Sequence, residues 1–302
     1  MATKYDEKIP FEKNGLYFYG LLKRGAQPTL PLIVLLHGGG ATPAFFDNSV
    51  VSVVQELNNL GHDVLNISRP GYGGTPIPST KTPLRDSIPA FIGFIEKVYS
   101  DSLGHSGQRP GIILIGHSIG GSLALSIAFE AKNRLPTLGV SVMGSLPSLK
   151  PLGLFPGLDS EIGGPRYVTE PTAENIRRFM GEVEWLQDGA LTESVIAAVF
   201  EPAPKSELSE YLALENNTWL LNEVFPGVNV PVQFLAAEVD IAWENEQEGI
   251  PIFQDLVKRF VNASAVDAAI LPRGGHNYEF SSNVGALLKR RSNFIQKLMA
   301  AR

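Results

Sequence analysis

The sequence predicts an α/β fold in which a mostly parallel central sheet carries helices on both faces and a helical segment is inserted after the sixth strand. Three observations carry that expectation. Short aliphatic runs alternate with amphipathic stretches of helix length along most of the 302 residues. These runs are mainly aliphatic, as strands buried on both faces are. The alternation stops at residue 145 and resumes after residue 227, so a core formed by residues 1–144 and 228–302 is expected to hold an inserted helical cap, residues 145–227.

Taken in order, Ile9 to Glu12 and Leu16 to Leu22, joined at Lys13-Asn14-Gly15, predict an antiparallel hairpin. Leu32 to Leu36 is the first fully apolar strand. Val50 to Leu60 reads as a helix that Gly61 ends, and Asp63 to Ile67 as the next strand. Helix Ile88 to Tyr99, strand Ile112 to Ile115, helix Ser118 to Arg134 and strand Leu138 to Met143 follow. A Pro/Gly-rich stretch, "SLPSLKPLGLFPGLDSEIGGPRYVTEP", then gives way to helical periodicity over Thr172 to Leu186, Thr192 to Phe200 and Ser206 to Asn222. The strand rhythm returns in "VPVQFLAAEVD", with helix Ile250 to Val261, strand Val266 to Leu271 and helix Val284 to Met299 completing the chain.

Composition narrows the function. Hydrophobic residues make up 44% and charged residues 19%, without low-complexity tracts, which is the composition of a folded, soluble protein. A net charge of -6 repels a phosphate backbone, so nucleic acid is not expected as a partner. With no cysteine, disulfides, thiolate metal sites and thiol nucleophiles are excluded. The charged N-terminus "MATKYDEKIPFEKNG" lacks the apolar core of a signal peptide, and no apolar run reaches the about 20 residues of a membrane span. A cytoplasmic location follows as the expectation, with the chain a monomer or homodimer acting on a small molecule.

The stretch "GIILIGHSIGGSLALSIAFEA" carries the chemistry. An aliphatic strand meets Gly116-His117-Ser118-Ile119-Gly120, and a helix begins at once. A nucleophilic hydroxyl must face an open direction, which a sharp strand-to-helix turn provides. Such a turn brings chain segments so close that the residues two before and two after the serine must be minimal. Gly116 and Gly120 meet that demand, and the amide of Ile119 sits at a helix N-terminus suited to negative charge. The competing reading, a glycine-rich phosphate loop, lacks the full G-x-G-x-x-G pattern.

A serine nucleophile needs a base, and the chain has five histidines. His62 beside the helix-ending Gly61 and His105 in the polar stretch "SDSLGHSGQRP" are expected to be exposed, His37 ends a strand and suits a loop hydrogen bond, and His117 should point away from Ser118. His276, in "LPRGGHNYEF" just past the last strand, remains, on a rim where loops after parallel strands line a crevice. The carboxylate that orients it is Asp240 by position, after strand Val232 to Ala236, with Glu238 as the local rival. An oxyanion hole needs two backbone donors. "LLHGGGATPAFF" offers Gly39 first and Gly40 second, as partners for Ile119.

These motifs resemble the α/β-hydrolase fold superfamily over nearly the whole chain: "LLHGGG" after the third strand, "SRPGYGGT" after the fourth, "GHSIGG" at the nucleophile, "AAEVD" before the acid and "RGGH" before the base. The resemblance implies a capped serine hydrolase with Ser118, Asp240 and His276 as triad and no cofactor or metal. It is nearest in kind to carboxylic-ester hydrolases, the accessory hydrolases of fungal secondary metabolism among them. Relatives that use an aspartate nucleophile are excluded by Ser118. The lack of disulfides and the modest size depart from extended lipases.

Phe45, Phe46, His117, Phe155, Trp185, Trp219 and Trp243 are the expected pocket residues, with Phe179 and Phe225 further aromatics of the inserted segment. The stretch Leu146 to Pro171 is either a mobile lid or a rigid wall. Hydrolysis of an ester, thioester or lactone is the leading activity. Carbon–carbon bond cleavage or another lyase or cyclase reaction on the same fold, and a small-molecule receptor with a vestigial triad, are the alternatives.

Overall fold

Asn14 and Gly15 turn the chain between β1 (Glu7–Lys13) and β2 (Leu16–Lys23), which pair antiparallel with Lys13 opposite Leu16. The computed structural model describes residues 3–77, 83–106, 109–145, 172–201, 219–240 and 246–301. After the hairpin come β3 (Leu32–Leu36), α1 (Val53–Asn59), β4 (Val64–Ser68), α2 (Pro83–Ser106), β5 (Ile112–His117), α3 (Ile119–Glu130) and β6 (Thr137–Met143). The segment between β6 and the next strand contains α4 (Ala173–Met180) and α5 (Glu193–Val199). The chain then returns through β7 (Val232–Ala237), α6 (Glu246–Lys258), β8 (Val266–Leu271) and α7 (Val284–Ala300).

The strands form one eight-stranded sheet in the order β1-β2-β4-β3-β5-β6-β7-β8. β2 pairs antiparallel with β1 and β4, and every other pairing is parallel. Successive side chains of the central strands divide between two cores, as the pleat requires. Leu32, Val34, Leu36, Ile112 and Leu114 pack with α2, α3 and α6. Ile33, Leu35, Ile113 and Ile115 pack with α1 and α7. Helices therefore cover both faces, and the central strand β3, LIVLL, is apolar at every position for that reason. From β3 the chain moves outward to β4, then crosses to β5 and proceeds in the opposite direction. The reversal leaves a crevice at the C-terminal ends of β3 and β5, where ligands bind in open α/β sheets.

Several elements differ from expectation for identifiable reasons. The helix expected from Val50 starts at Val53, because Asn48 Oδ1 accepts the amides of Val50 and Val51 and the Ser52 hydroxyl caps Gln55 N at 2.9 Å. The helix expected over Ile88 to Tyr99 begins instead at Pro83, whose missing N–H costs nothing at the first helical position, and reaches Ser106. The helix expected over Thr172 to Leu186 breaks at Gly181 (φ 89°), and Val183–Trp185 form a separate 3-10 turn. Of the helix expected over Ser206 to Asn222, residues 206–218 lie outside the described residues. Its end runs on past Asn222 as a π-helical turn, Leu220–Val224, into Phe225–Gly227.

His62 is buried rather than exposed, its Nδ1 at 3.0 Å from Pro31 O beside the ion pair of Asp63 with Arg109. His105 has no described side chain. The expected lid, Leu146 to Pro171, lies outside the described residues. Among the described residues no helix is long and apolar enough to cross a membrane.

Candidate active site

Ser118 stands alone between the end of β5 and the start of α3, with φ 54° and ψ -123°, a region that L residues rarely enter. Backbone contacts hold it there. Ser118 N donates to Met143 O at 2.8 Å, and Ser118 O accepts from Gly121 N at 2.9 Å and from the Ser145 hydroxyl at 2.9 Å. A Cβ on Gly116 would lie 2.3 Å from Gly120 O, and one on Gly120 would lie 2.1 Å from Leu36 O. The motif's two glycines are thus demanded by chain packed on chain. The Ser118 side chain is half-buried.

His276 reaches the same rim from the loop after β8. Its Nδ1 faces both carboxylate oxygens of Asp240, Oδ1 at 2.9 Å and Oδ2 at 3.0 Å, so the ring proton sits on Nδ1 and donates to them. Both residues are nearly sealed from solvent, at 6% and 9% exposure. They lie against the end of β6, where a Cβ on Gly144 would come within 3.1 Å of the His276 ring and 3.3 Å of Asp240 Oδ2. Glu238, the rival acid, is engaged elsewhere: its Oε2 accepts the amide of Arg273 at 2.8 Å. The Ser118 hydroxyl makes no hydrogen bond to another described residue, and base-to-nucleophile contacts commonly tighten only when substrate is bound.

His117 links the two loops. Its Nε2–H donates to the main-chain oxygen of His276 at 2.9 Å, and its ring stacks on Phe45 with centroids 4.4 Å apart. Burial, followed by the proximity of His276, holds its pKa well below the ordinary histidine value, so the ring stays neutral. His37 plays the loop role expected of it. Its Nδ1 bonds the Gly38 carbonyl at 2.9 Å and its Nε2 accepts from Arg69 N at 3.2 Å. Burial and the Arg69 charge keep it neutral as well.

The glycine loop after β3 lies across the elbow. A Cβ on Gly38 would approach Ser118 Cβ to 3.1 Å, and one on Gly39 would approach Ile119 Cδ1 to 2.8 Å. Among the described residues, the amides of Gly39 and Ile119 donate to nothing. Gly40, the second choice of donor, differs: its amide is already given to the Tyr72 hydroxyl at 3.1 Å. Tyr72, inside "RPGYGG", was not expected to touch this loop, and only its place in that motif could have signalled it.

The expected pocket aromatics scatter. Phe45 and Phe46 have no exposed surface and belong to the core around Phe280 and α1, so they offer no face to an incoming molecule; bulk and apolarity suited them equally to either place. His117 is likewise filled in between Phe45 and the His276 loop. Trp219 is partly buried against the sheet core under the Arg85 guanidinium, 4.8 Å from its ring, and Phe225 stacks on Phe260. Trp185 is half-buried in the turn whose carbonyl accepts Ser282 N. Phe155 and Trp243 lie outside the described residues. Phe179, at the end of α4, does come to the site, its ring 6.1 Å from that of His276. Among the described residues no group of three or more His, Asp or Glu is arranged to hold a metal ion.

Residues 33–288 match the sequence profile of the alpha/beta hydrolase family. Among curated proteins the chain is similar to protein phosphatase methylesterase 1 of Candida glabrata, 28% identical over 136 residues, which make up 42% of this chain and 34% of that protein. The match thus spans about a third of the relative's length. A thermophilic esterase from Thermogutta terrifontis superposes with a TM-score of 0.65 at 14% identity, covering 97% of this chain and 99% of the other. An enol-lactonase from Burkholderia xenovorans LB400 does so at 0.65 and 17% identity, covering 94% and 98%. At such identities the likeness is one of fold.

Proposed function

Because the chain belongs to the alpha/beta hydrolase family and is a hydrolase, we propose that it cleaves an ester, thioester or lactone through Ser118, His276 and Asp240 by way of an acyl-enzyme. The observation that carries this reading is the His276 Nδ1–H held between both Asp240 oxygens, 2.9 and 3.0 Å away, with the main chain of His276 bonded to His117, the residue before a serine at a strained strand-to-helix turn.

The roles follow from the chemistry. Asp240 fixes the tautomer, which leaves the Nε2 lone pair to take the Ser118 proton as its oxygen attacks the carbonyl carbon. Negative charge then develops on the carbonyl oxygen, and the undonated amides of Gly39 and Ile119 are the groups suited to receive it. Collapse expels the alcohol or thiol, protonated by His276, and leaves the acyl group on Ser118. Water, deprotonated by the same imidazole, releases the acid. Each proton and each charge has a residue, so the reaction needs no cofactor.

The substrate is a small to medium, largely apolar molecule in this reading. Phe179 near His276 supports an apolar wall, contributed by α4 of the inserted segment. The methylesterase name of the curated relative makes methyl esters the first to try. Turnover on a panel of methyl and p-nitrophenyl esters, thioesters and lactones tests the reading. Activity that vanishes in Ser118→Ala supports it, and equal activity in the two proteins refutes it.

A further inference from the structure

We infer that Glu201 is a positioning residue for the oxyanion loop, acting with Tyr72 through a closed ring of hydrogen bonds around Gly40. The inference rests on the acyl-enzyme reading above and assigns residues to which that reading gives no role. The ring has three bonds. Gly40 N donates to the Tyr72 hydroxyl at 3.1 Å, Gly73 N donates to Glu201 Oε1 at 2.5 Å, and Glu201 N donates to Gly40 O at 3.1 Å. The peptide bond between Tyr72 and Gly73 closes it. Both polar groups of the Gly40 residue are thereby fixed from outside its own loop, one by each of two other segments.

The neighbouring contacts point the same way. Thr42 N donates to Val199 O at 2.7 Å and the Thr42 hydroxyl to Ala198 O at 2.8 Å, so the glycine loop satisfies the last carbonyls of α5. Ala41 and Phe200 pair as an isolated antiparallel bridge. The C-terminal end of α5 and the two residues after it are therefore fastened to residues 40–42 on both sides of Ala41. Gly39, immediately before the ring, has an undonated amide and lies against Ile119. A donor that must meet a transition-state oxygen within tenths of an ångström is held here by a carboxylate 128 residues away along the chain from the amide it accepts.

The geometry makes distinct demands on substitutions. Glu201→Gln keeps an oxygen acceptor for Gly73 N, whereas Glu201→Ala removes it, and Tyr72→Phe removes the acceptor of Gly40 N. A loosened oxyanion donor acts on the transition state more than on bound substrate, so Glu201→Ala should lower kcat about tenfold with KM changed less than about twofold. Glu201→Gln should retain most of the wild-type kcat. Because the Glu201 carboxylate and the Tyr72 hydroxyl are links in the same closed ring, the Glu201→Ala, Tyr72→Phe double variant should lose much less than the product of the two single losses.

The experiment measures kcat and KM for the four variants on an ester that the wild type turns over, together with amide hydrogen exchange at residues 39–41. The expected result is a kcat loss rescued by glutamine, non-additivity in the double variant and faster exchange in Glu201→Ala. Wild-type kcat in a folded Glu201→Ala, or losses that multiply, overturns the inference while leaving the acyl-enzyme reading intact. A wild type that turns over no ester and takes up no serine-directed probe overturns that reading, and the positioning role with it.

Discussion

The imidazole of His117 donates from Nε2 to the main-chain oxygen of His276 across 2.9 Å, so the residue before the proposed nucleophile holds the backbone of the proposed base. That bond needs a proton on Nε2 and none on Nδ1, where a second proton would be buried without an acceptor. Burial supplies the condition by keeping the ring neutral.

Neutral buried histidines give stability a pH dependence of definite sign. His37, His62 and His117 all have pKa values lowered by burial, His37 and His117 strongly. In the unfolded chain each takes up a proton near pH 6.5. Below that pH the unfolded state binds more protons, so stability is fully present above about pH 6.5 and falls on acidification by up to about 1.4 kcal/mol per pH unit for each histidine. Urea titrations at a series of pH values from neutral downward should show falling midpoints, with a shallower slope in His117→Gln. An unchanged slope would assign the acid sensitivity to other groups.

Asp240 and Glu238 are two residues apart and should behave differently. Asp240→Asn presents a donor or a weaker acceptor to Nδ1 and permits the wrong tautomer, so kcat should fall by about 10⁴ with the fold retained. Glu238→Gln loses a charged acceptor for the Arg273 amide, a residue at φ 58°, and should cost about 1 kcal/mol of stability with kcat nearly unchanged. Steady-state kinetics and thermal unfolding on the pair separate the roles. Comparable kcat losses in both would contradict the assignment.

Gly120 tests the packing of the elbow without touching its chemistry. An added Cβ meets Leu36 O at 2.1 Å and His37 O at 2.4 Å, both main-chain atoms that cannot swing aside, so Gly120→Ala should cost more than about 3 kcal/mol. Gly285, exposed in the first turn of α7 with nothing within 4 Å, is the control, and Gly285→Ala should stabilise by about 0.5 kcal/mol. Denaturant midpoints of the two variants should move in opposite directions.

Local signals were legible in the sequence and tertiary ones were not. Strand Leu32–Leu36 was legible because an apolar run of strand length between turn residues has few other folds to adopt. Ser118 was legible because the elbow's steric demand falls within five consecutive residues. The break at Gly181 was not, since it depends on the distant Gly275, whose amide donates to Met180 O at 3.1 Å. Phe45 and Phe46 were placed in the pocket because hydrophobicity does not distinguish a cavity wall from a core. Glu201 gave no signal at all: an acid after a helix looks like any surface carboxylate until the fold brings Gly73 to it.

The proposed activation of Ser118 as a nucleophile can be read out by intact-protein mass spectrometry after exposure to a small fluorophosphonate. One phosphonyl adduct is expected in the wild type, none in Ser118→Ala, and adduct formation slowed strongly in His276→Ala. A folded wild type that takes up no adduct, or takes one up equally in Ser118→Ala, would contradict it.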